Sequence, residues 1–203
     1  MLHSPHLRRL HRGTALLLGV FLTLHLIHHA TLIGGTDLHL TVQALISPIY
    51  RWRPVEVLLL TAFALQIGTG ILQGLRPRTT ARGWRRAQIL SGLVLGGFIL
   101  AHVGAALNYR ASGLETTVHF AASGMFHPIL KWFFYLYYPA GLIALATHLA
   151  AVLALRRTGP AWLPLALPVL AAVYAGVVLT GLGGGFGGPL PASDYLYHGS
   201  ILP

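Results

Sequence analysis

Five stretches of this chain stay apolar for long enough to cross a lipid bilayer as helices, and short polar or basic connections separate them. A spanning helix needs about 20 mostly apolar residues, because the hydrocarbon layer is about 30 Å thick and each residue adds about 1.5 Å. Residues 14–33, 55–75, 87–107, 132–155 and 161–182 meet that requirement. Charges and helix breakers mark their edges. Arg12 and Gly13 precede the first span, and Arg51, Arg53 and Pro54 precede the second, where proline suits a first helical turn. Arg76-Pro77 closes the second, Arg156-Arg157 closes the fourth, and Gly183-Gly184-Gly185 follows the fifth. Residues 40–53 form an amphipathic segment suited to lying on a membrane surface, and the Gly- and Pro-rich residues 183–203 predict an irregular tail. There is no tandem repeat and no separate soluble domain. The expectation is one all-α membrane domain over 1–203, with five transmembrane helices in a bundle.

Composition agrees with that pattern. Of 203 residues, 55% are hydrophobic and 9% are charged, against roughly a quarter charged in a soluble domain. The first apolar run is longer than the core of a secretory signal and lacks a small-residue cleavage site, so it is expected to be retained. The absence of cysteine excludes disulfides and thiolate-bound metal centres within the chain. A net charge of +10 would suggest nucleic acid for a soluble protein. Here the cations sit in short connections, where they set topology, so no nucleic-acid partner is expected. Arg8, Arg9, Arg12, Arg76, Arg78, Arg82, Arg85, Arg86, Arg156 and Arg157 fall on one side, and Arg51, Arg53, Arg110 and Lys131 on the other. That asymmetry predicts a cytoplasmic N-terminus and an outside C-terminus.

The candidate chemistry lies in histidines within the spans. Counted at about 1.5 Å per residue, His25 lies roughly 20 Å from the inner surface and His102 roughly 24 Å, in the outer half of the bilayer. Two neutral imidazoles at matched depth on facing helices can hold a haem b edge-on between them. His148 lies roughly 12 Å from the inner surface, too far along the axis to share an iron with His25. Gln66 is near the level of His148; an amide is a poor haem ligand but suits a hydrogen bond to that imidazole. The alternative for His148 is a polar link between helices, or contact with a quinone. His28 and His29, one turn beyond His25, suit a haem propionate, a quinone carbonyl or interfacial water. His3, His6 and His11 fall at the inner interface. His39, His119, His127 and His198 fall in outer segments and are expected to face solvent for the most part. Glu56, near the outer end of the second span, is a candidate proton acceptor in quinone chemistry or a solvated carboxylate, and Ser91 is a candidate quinone contact on the inner side. Gly70 with Gly74, and Gly92 with Gly96, have the spacing that lets helices pack closely or leaves room for a flat cofactor.

Several segments together resemble a known family. The opening RRLHRGTALLLGVFLTLHLIHH, with His25 fourteen residues after His11, resembles the first helix of the single-chain, five-helix cytochrome b558 membrane anchors of succinate dehydrogenase and fumarate reductase. Val55-Glu56-Val57 is similar to the acidic start of that family's second helix. QILSGLVLGGFILAHV resembles its third helix and FFYLYYPAGLIALATHLAAVL its fourth, and the likeness extends over about residues 8–182. The resemblance implies an anchor that exchanges electrons between an iron–sulfur subunit and a membrane quinone, menaquinone by preference, while a flavoprotein subunit acts on succinate or fumarate. It implies a multi-pass protein of a bacterial-type cytoplasmic membrane. His25 and His102 would be the axial ligands of an outer haem iron, and His148 one ligand of an inner haem. Gln66 stands where the family has the inner partner ligand, a departure that makes one haem b the expectation, and two only if the inner one is held differently. With four acidic residues, no thiol and no nucleotide-binding Gly-rich motif, the chain is not expected to act on dicarboxylates itself. The alternatives are the membrane cytochrome b of another respiratory complex, such as a hydrogenase or formate dehydrogenase, or a haem-free anchor.

Overall fold

A computed structural model describes residues 5–74 and 82–188, which are helical almost throughout and contain no strand. Helix α1 runs Pro5–Ala30 and passes into a 3-10 turn at Thr31–Gly34. Then come α2 (Thr36–Arg51), α3 (Arg53–Gly74), α4 (Trp84–Ala111), α5 (Val118–Phe126), α6 (Lys131–Arg156) and α7 (Leu163–Leu182). Five of these, α1, α3, α4, α6 and α7, are long and apolar enough to cross a membrane. They fit a multi-pass membrane protein. Several run past the spans expected from hydropathy, α1 and α4 the furthest. Backbone hydrogen bonding carries a helix through the first arginines of the interface, where the apolar signal stops.

The polar connections follow from local chemistry. Gly35 turns the chain between α1 and α2 at φ 91°, a conformation that a side chain would strain. Asp37 in the first turn of α2 and Arg51 in its last complement the helix dipole. Pro54 follows Arg53 at the start of α3. The surface segment expected at 40–53 is α2, shifted toward the N-terminus by this glycine-set start. Helix α5 was not anticipated: nine residues are too few to span, and no charge pattern flags them. At the C-terminus the described residues end after a short 3-10 turn at Gly185–Gly187. The rest of the expected irregular tail, 189–203, lies outside the described residues, as do Arg76, Arg78, His3 and His198.

The long helices pack in two groups. Helix α1 lies along α3, joined by buried Leu18, Leu59, Ala62 and Phe63. Helix α6 lies between α4 and α7. Lipid tails are as apolar as leucine, so close approach rather than water exclusion holds such helices together. The helices around α6 accordingly carry small buried residues: Ala144, Ala150 and Ala151 on α6 and Ala175 on α7. A second buried cluster, Leu32, Val118, Met125, Val178 and Leu182, gathers the 3-10 turn, α5 and α7 at the end covered by α2. In the α4–α6 contact, the ring of Phe98 occupies the space that a Cβ at Gly141 would need.

Replacing Gly141 with alanine therefore overpacks α4 against α6. The expected loss is about 1–3 kcal/mol, read from reversible SDS-titrated unfolding in mixed micelles. An unchanged midpoint would show that Phe98 has room to move aside.

Candidate functional site

Helices α1 and α4 do not pack backbone against backbone among the described residues. They meet through His25 and His102, whose ring centroids are 6.1 Å apart with planes at 76°. Each imidazole rests on an aromatic ring of its own helix, one turn earlier. Phe21 stacks on His25 at 5.5 Å and 20°, and Phe98 on His102 at 5.4 Å and 14°. Phe63 and Tyr50 hold Phe21 edge-on, and Tyr137 of α6 stacks on Phe98 at 4.6 Å. Both ring planes are thus fixed by packing. His102 makes no hydrogen bond among the described residues, so both its nitrogens are unspent. A metal–imidazole bond is about 2.0 Å long, which puts the centres of two imidazoles on opposite sides of one metal roughly 6 Å apart. The observed separation suits that arrangement. Among the described residues, no group of three or more His, Asp or Glu side chains converges as metal ligands.

Three more imidazoles adjoin this pair toward α2. His29 Nε2 lies 3.3 Å from His25 Nε2, so one carries the proton and the other accepts it. His29 Nδ1 is buried without a partner, a state that costs about 1–3 kcal/mol for a neutral group. His28 is buried and stacks on His39 of α2 at 3.9 Å and 21°. Thr31 donates its hydroxyl to the His28 carbonyl at 2.6 Å. Its oxygen therefore accepts from His39 Nδ1–H at 3.2 Å, which fixes that tautomer. His28 Nε2–H donates to the His39 carbonyl at 3.3 Å.

His39 corrects an expectation. It does not face solvent but is 1% exposed. Helix α2 turns His39 and Gln43 inward and leaves Leu38, Leu45 and Ile49 outside. A same-face polar pair four residues apart, on a helix whose apolar residues are suited to lipid, is the sequence signal that would have found it. His119 and His127 are partly buried as well.

The opposite end of the bundle has its own polar chain. The Thr14 hydroxyl donates to Gln66 Oε1 at 2.5 Å, and Gln66 Nε2 donates to His11 Nε2 at 3.2 Å. His11 Nδ1–H then reaches Thr69 Oγ1 at 2.8 Å. These bonds close α1 on α3, and they commit both nitrogens of His11. Gln66 was expected to bond His148; it faces α1 instead. His148 donates Nδ1–H to the Gln88 carbonyl of α4 at 3.1 Å. Its ring sits against Gly92, where a Cβ would lie 3.2 Å away. So Gly92 makes room for an imidazole, while Gly96 receives Ile67 and Gly70 lies against His11. His148 Nε2 stays unspent, and His11 is within electrostatic reach. Ser91 is buried one turn from Gln88 and donates to the Ala87 carbonyl at 2.6 Å.

Glu56 is not a free carboxylate. It pairs with Arg110 and ties α3 to α4. Nearby, Arg51 of α2 donates to Glu115 at 2.9 Å and to Thr116 Oγ1 at 2.8 Å, and Gln43 donates to the Thr116 carbonyl at 3.0 Å. Helix α2 is thereby fixed to the segment between α4 and α5.

Comparison with family models, curated proteins and solved structures finds no match to the chain. The geometry alone therefore bears on function.

Burial, then the neighbouring His28, lowers the pKa of His39 from 6.5 to about 4. A base whose folded pKa is depressed takes up a proton on unfolding, so stability is complete above about 6.5 and is lost as pH falls from there toward about 4. The apparent melting temperature in detergent should fall across that window. His39→Gln, which cannot titrate, should flatten the fall. An equal slope in the variant would assign it to other groups.

Proposed function

We propose that this chain is the haem b-carrying membrane anchor of a succinate:quinone oxidoreductase, passing electrons between an iron–sulfur subunit and a membrane quinone. The observation that carries the proposal is the His25–His102 pair: two imidazoles on facing helices, 6.1 Å between ring centroids, each steadied by a stacked phenyl ring. His25 and His102 would hold the haem iron. A haem b held there supplies a one-electron carrier inside the bilayer. Ligation through His25 Nε2 would replace its bond to His29. That leaves His29 free to donate to a carboxylate or carbonyl oxygen, a role that accounts for its orphaned Nδ1.

One haem rather than two is proposed. Gln66 is bound to α1, and both nitrogens of His11 are spent. His148 has the oriented Nδ1–H and free Nε2 of a ligand without a partner imidazole. A quinone carbonyl is the proposed contact for that nitrogen, with the Ser91 oxygen nearby. The N-terminus is proposed to be cytoplasmic in a bacterial-type inner membrane, on the positions of the arginines. Flavoprotein and iron–sulfur subunits are the proposed partners, and the substrate dicarboxylate is left to them.

Purified with its native partners, the complex should contain one haem b per chain by pyridine haemochrome, together with covalent flavin. His25→Ala and His102→Ala should each lose at least about tenfold of the haem, as expected for axial ligands, while His148→Ala keeps it. Two haems would overturn the inner-end assignment. No haem would remove both ligands, and nickel or molybdenum in place of flavin would move the chain to another respiratory complex.

A further inference from the structure

The end of the bundle that carries His11 and His148 also holds a cavity of about 340 Å³ that plays no part in the histidine sites. It lies between the first residue of α4, Trp84, the end of α6 and the start of α7. Leu153, Ala154, Pro164 and Leu165 form its apolar walls. Its polar lining is Arg157 and Thr158, in the turn between α6 and α7.

Arg157 is placed there against a local preference. It ends α6 at φ 53° and ψ 42°, the left-handed conformation, with its N–H on the Ala154 carbonyl and the Thr158 N–H on the Leu153 carbonyl. Glycine is the usual residue at such a helix end, since a side chain there is strained. The chain keeps an arginine instead. The positive-φ glycine comes two residues later, at Gly159. Arg157 makes no ion pair among the described residues. An unpaired guanidinium, a hydroxyl and an indole thus border an apolar hollow where two long helices of a membrane-spanning bundle end.

We infer that this cavity binds the glycerophosphate of an anionic phospholipid. Arg157 forks onto the phosphate oxygens, Thr158 donates its hydroxyl to them, and the first acyl carbons lie on Leu153, Ala154 and Leu165. Arginine matches phosphate oxygens in pairs, and basic pockets between helix ends are suited to lipid headgroups. The same polar groups would accept inorganic phosphate. The apolar walls, which phosphate alone would leave uncovered, favour the lipid. The inference holds whether or not the chain carries haem.

The test uses the full chain in nanodiscs of phosphatidylcholine with one-fifth phosphatidylglycerol, released into detergent for native mass spectrometry. Retained phosphatidylglycerol should exceed its share of the bilayer several-fold. Arg157→Gly should abolish that excess while leaving the melting temperature in lipid-free detergent unchanged or higher, since glycine relieves the helix end. Ala161→Phe, which fills the cavity from the connecting turn, should abolish it with Arg157 in place. Equal retention of the two lipids, or an excess that survives both substitutions, would overturn the inference. So would a melting shift given by inorganic phosphate alone and not by phosphatidylglycerol, because the site would then be for the free ion.

Discussion

A polar side chain within a hydrocarbon layer has no water to turn to, so its hydrogen bonds must be found inside the protein. That constraint organises this bundle. The apolar surfaces of the long helices gain little from meeting one another in lipid, and the contacts that distinguish one pairing from another are polar or aromatic. Thr14, Gln66, His11 and Thr69 join α1 to α3. The Tyr174 hydroxyl donates to the Leu26 carbonyl and joins α7 to α1. His148 joins α6 to α4, and Glu56 with Arg110 joins α3 to α4. Among the described residues, the link between α1 and α4 is a pair of imidazoles with little backbone packing beneath it. The two imidazoles, each stacked on a phenylalanine of its own helix, are thus what bring these two helices together.

Helix α2 shows the same constraint acting at the membrane boundary. A surface helix of a soluble domain points its apolar stripe inward. Here His39 and Gln43 point inward, because what lies beneath them is a set of imidazoles and backbone carbonyls that need partners. Leu45 and Ile49 are exposed, in a position to meet lipid rather than water. The helix thus serves as a polar cover for the histidine end, held at its far end by Arg51 on Glu115 and Thr116.

These differences in environment explain what could be read from the chain beforehand. The five long helices were legible because length and apolarity are one-dimensional properties, and so was the shared level of His25 and His102, since helical rise converts sequence separation into depth. The direction in which a side chain points around its helix was not legible. Gln66 sits near the depth of His148, yet rotation of α3 against α1 presents it to His11 and Thr14. His39 was misplaced for a related reason: a short helix in a connection gives no clue to which of its faces is covered. Glu56 was recognisable as unusual in its apolar setting, while its partner Arg110 lies 54 positions away and no local pattern joins them.

The two ends of the bundle then differ in a way that bears on the number of cofactors. A flat group between helices needs two ligands and a gap. At the end covered by α2, the imidazoles of His25 and His102 face each other from α1 and α4. At the other end, the residue that could have supplied a second ligand on α3 is an amide, and it is used to pull α1 onto α3. Thr14 and Gln66 bond at 2.5 Å, and His11 completes the closure through Thr69. The amide at position 66 and the closing of α1 on α3 are thus the same structural fact. A side chain at position 66 that turned toward His148 would give up the bonds to Thr14 and His11 that close α1 on α3. Under the proposed function, a single haem is therefore a consequence of how α1 is held to α3, and His148, oriented by the Gln88 carbonyl but left without a second imidazole, is the group that remains for a smaller acceptor such as a quinone oxygen.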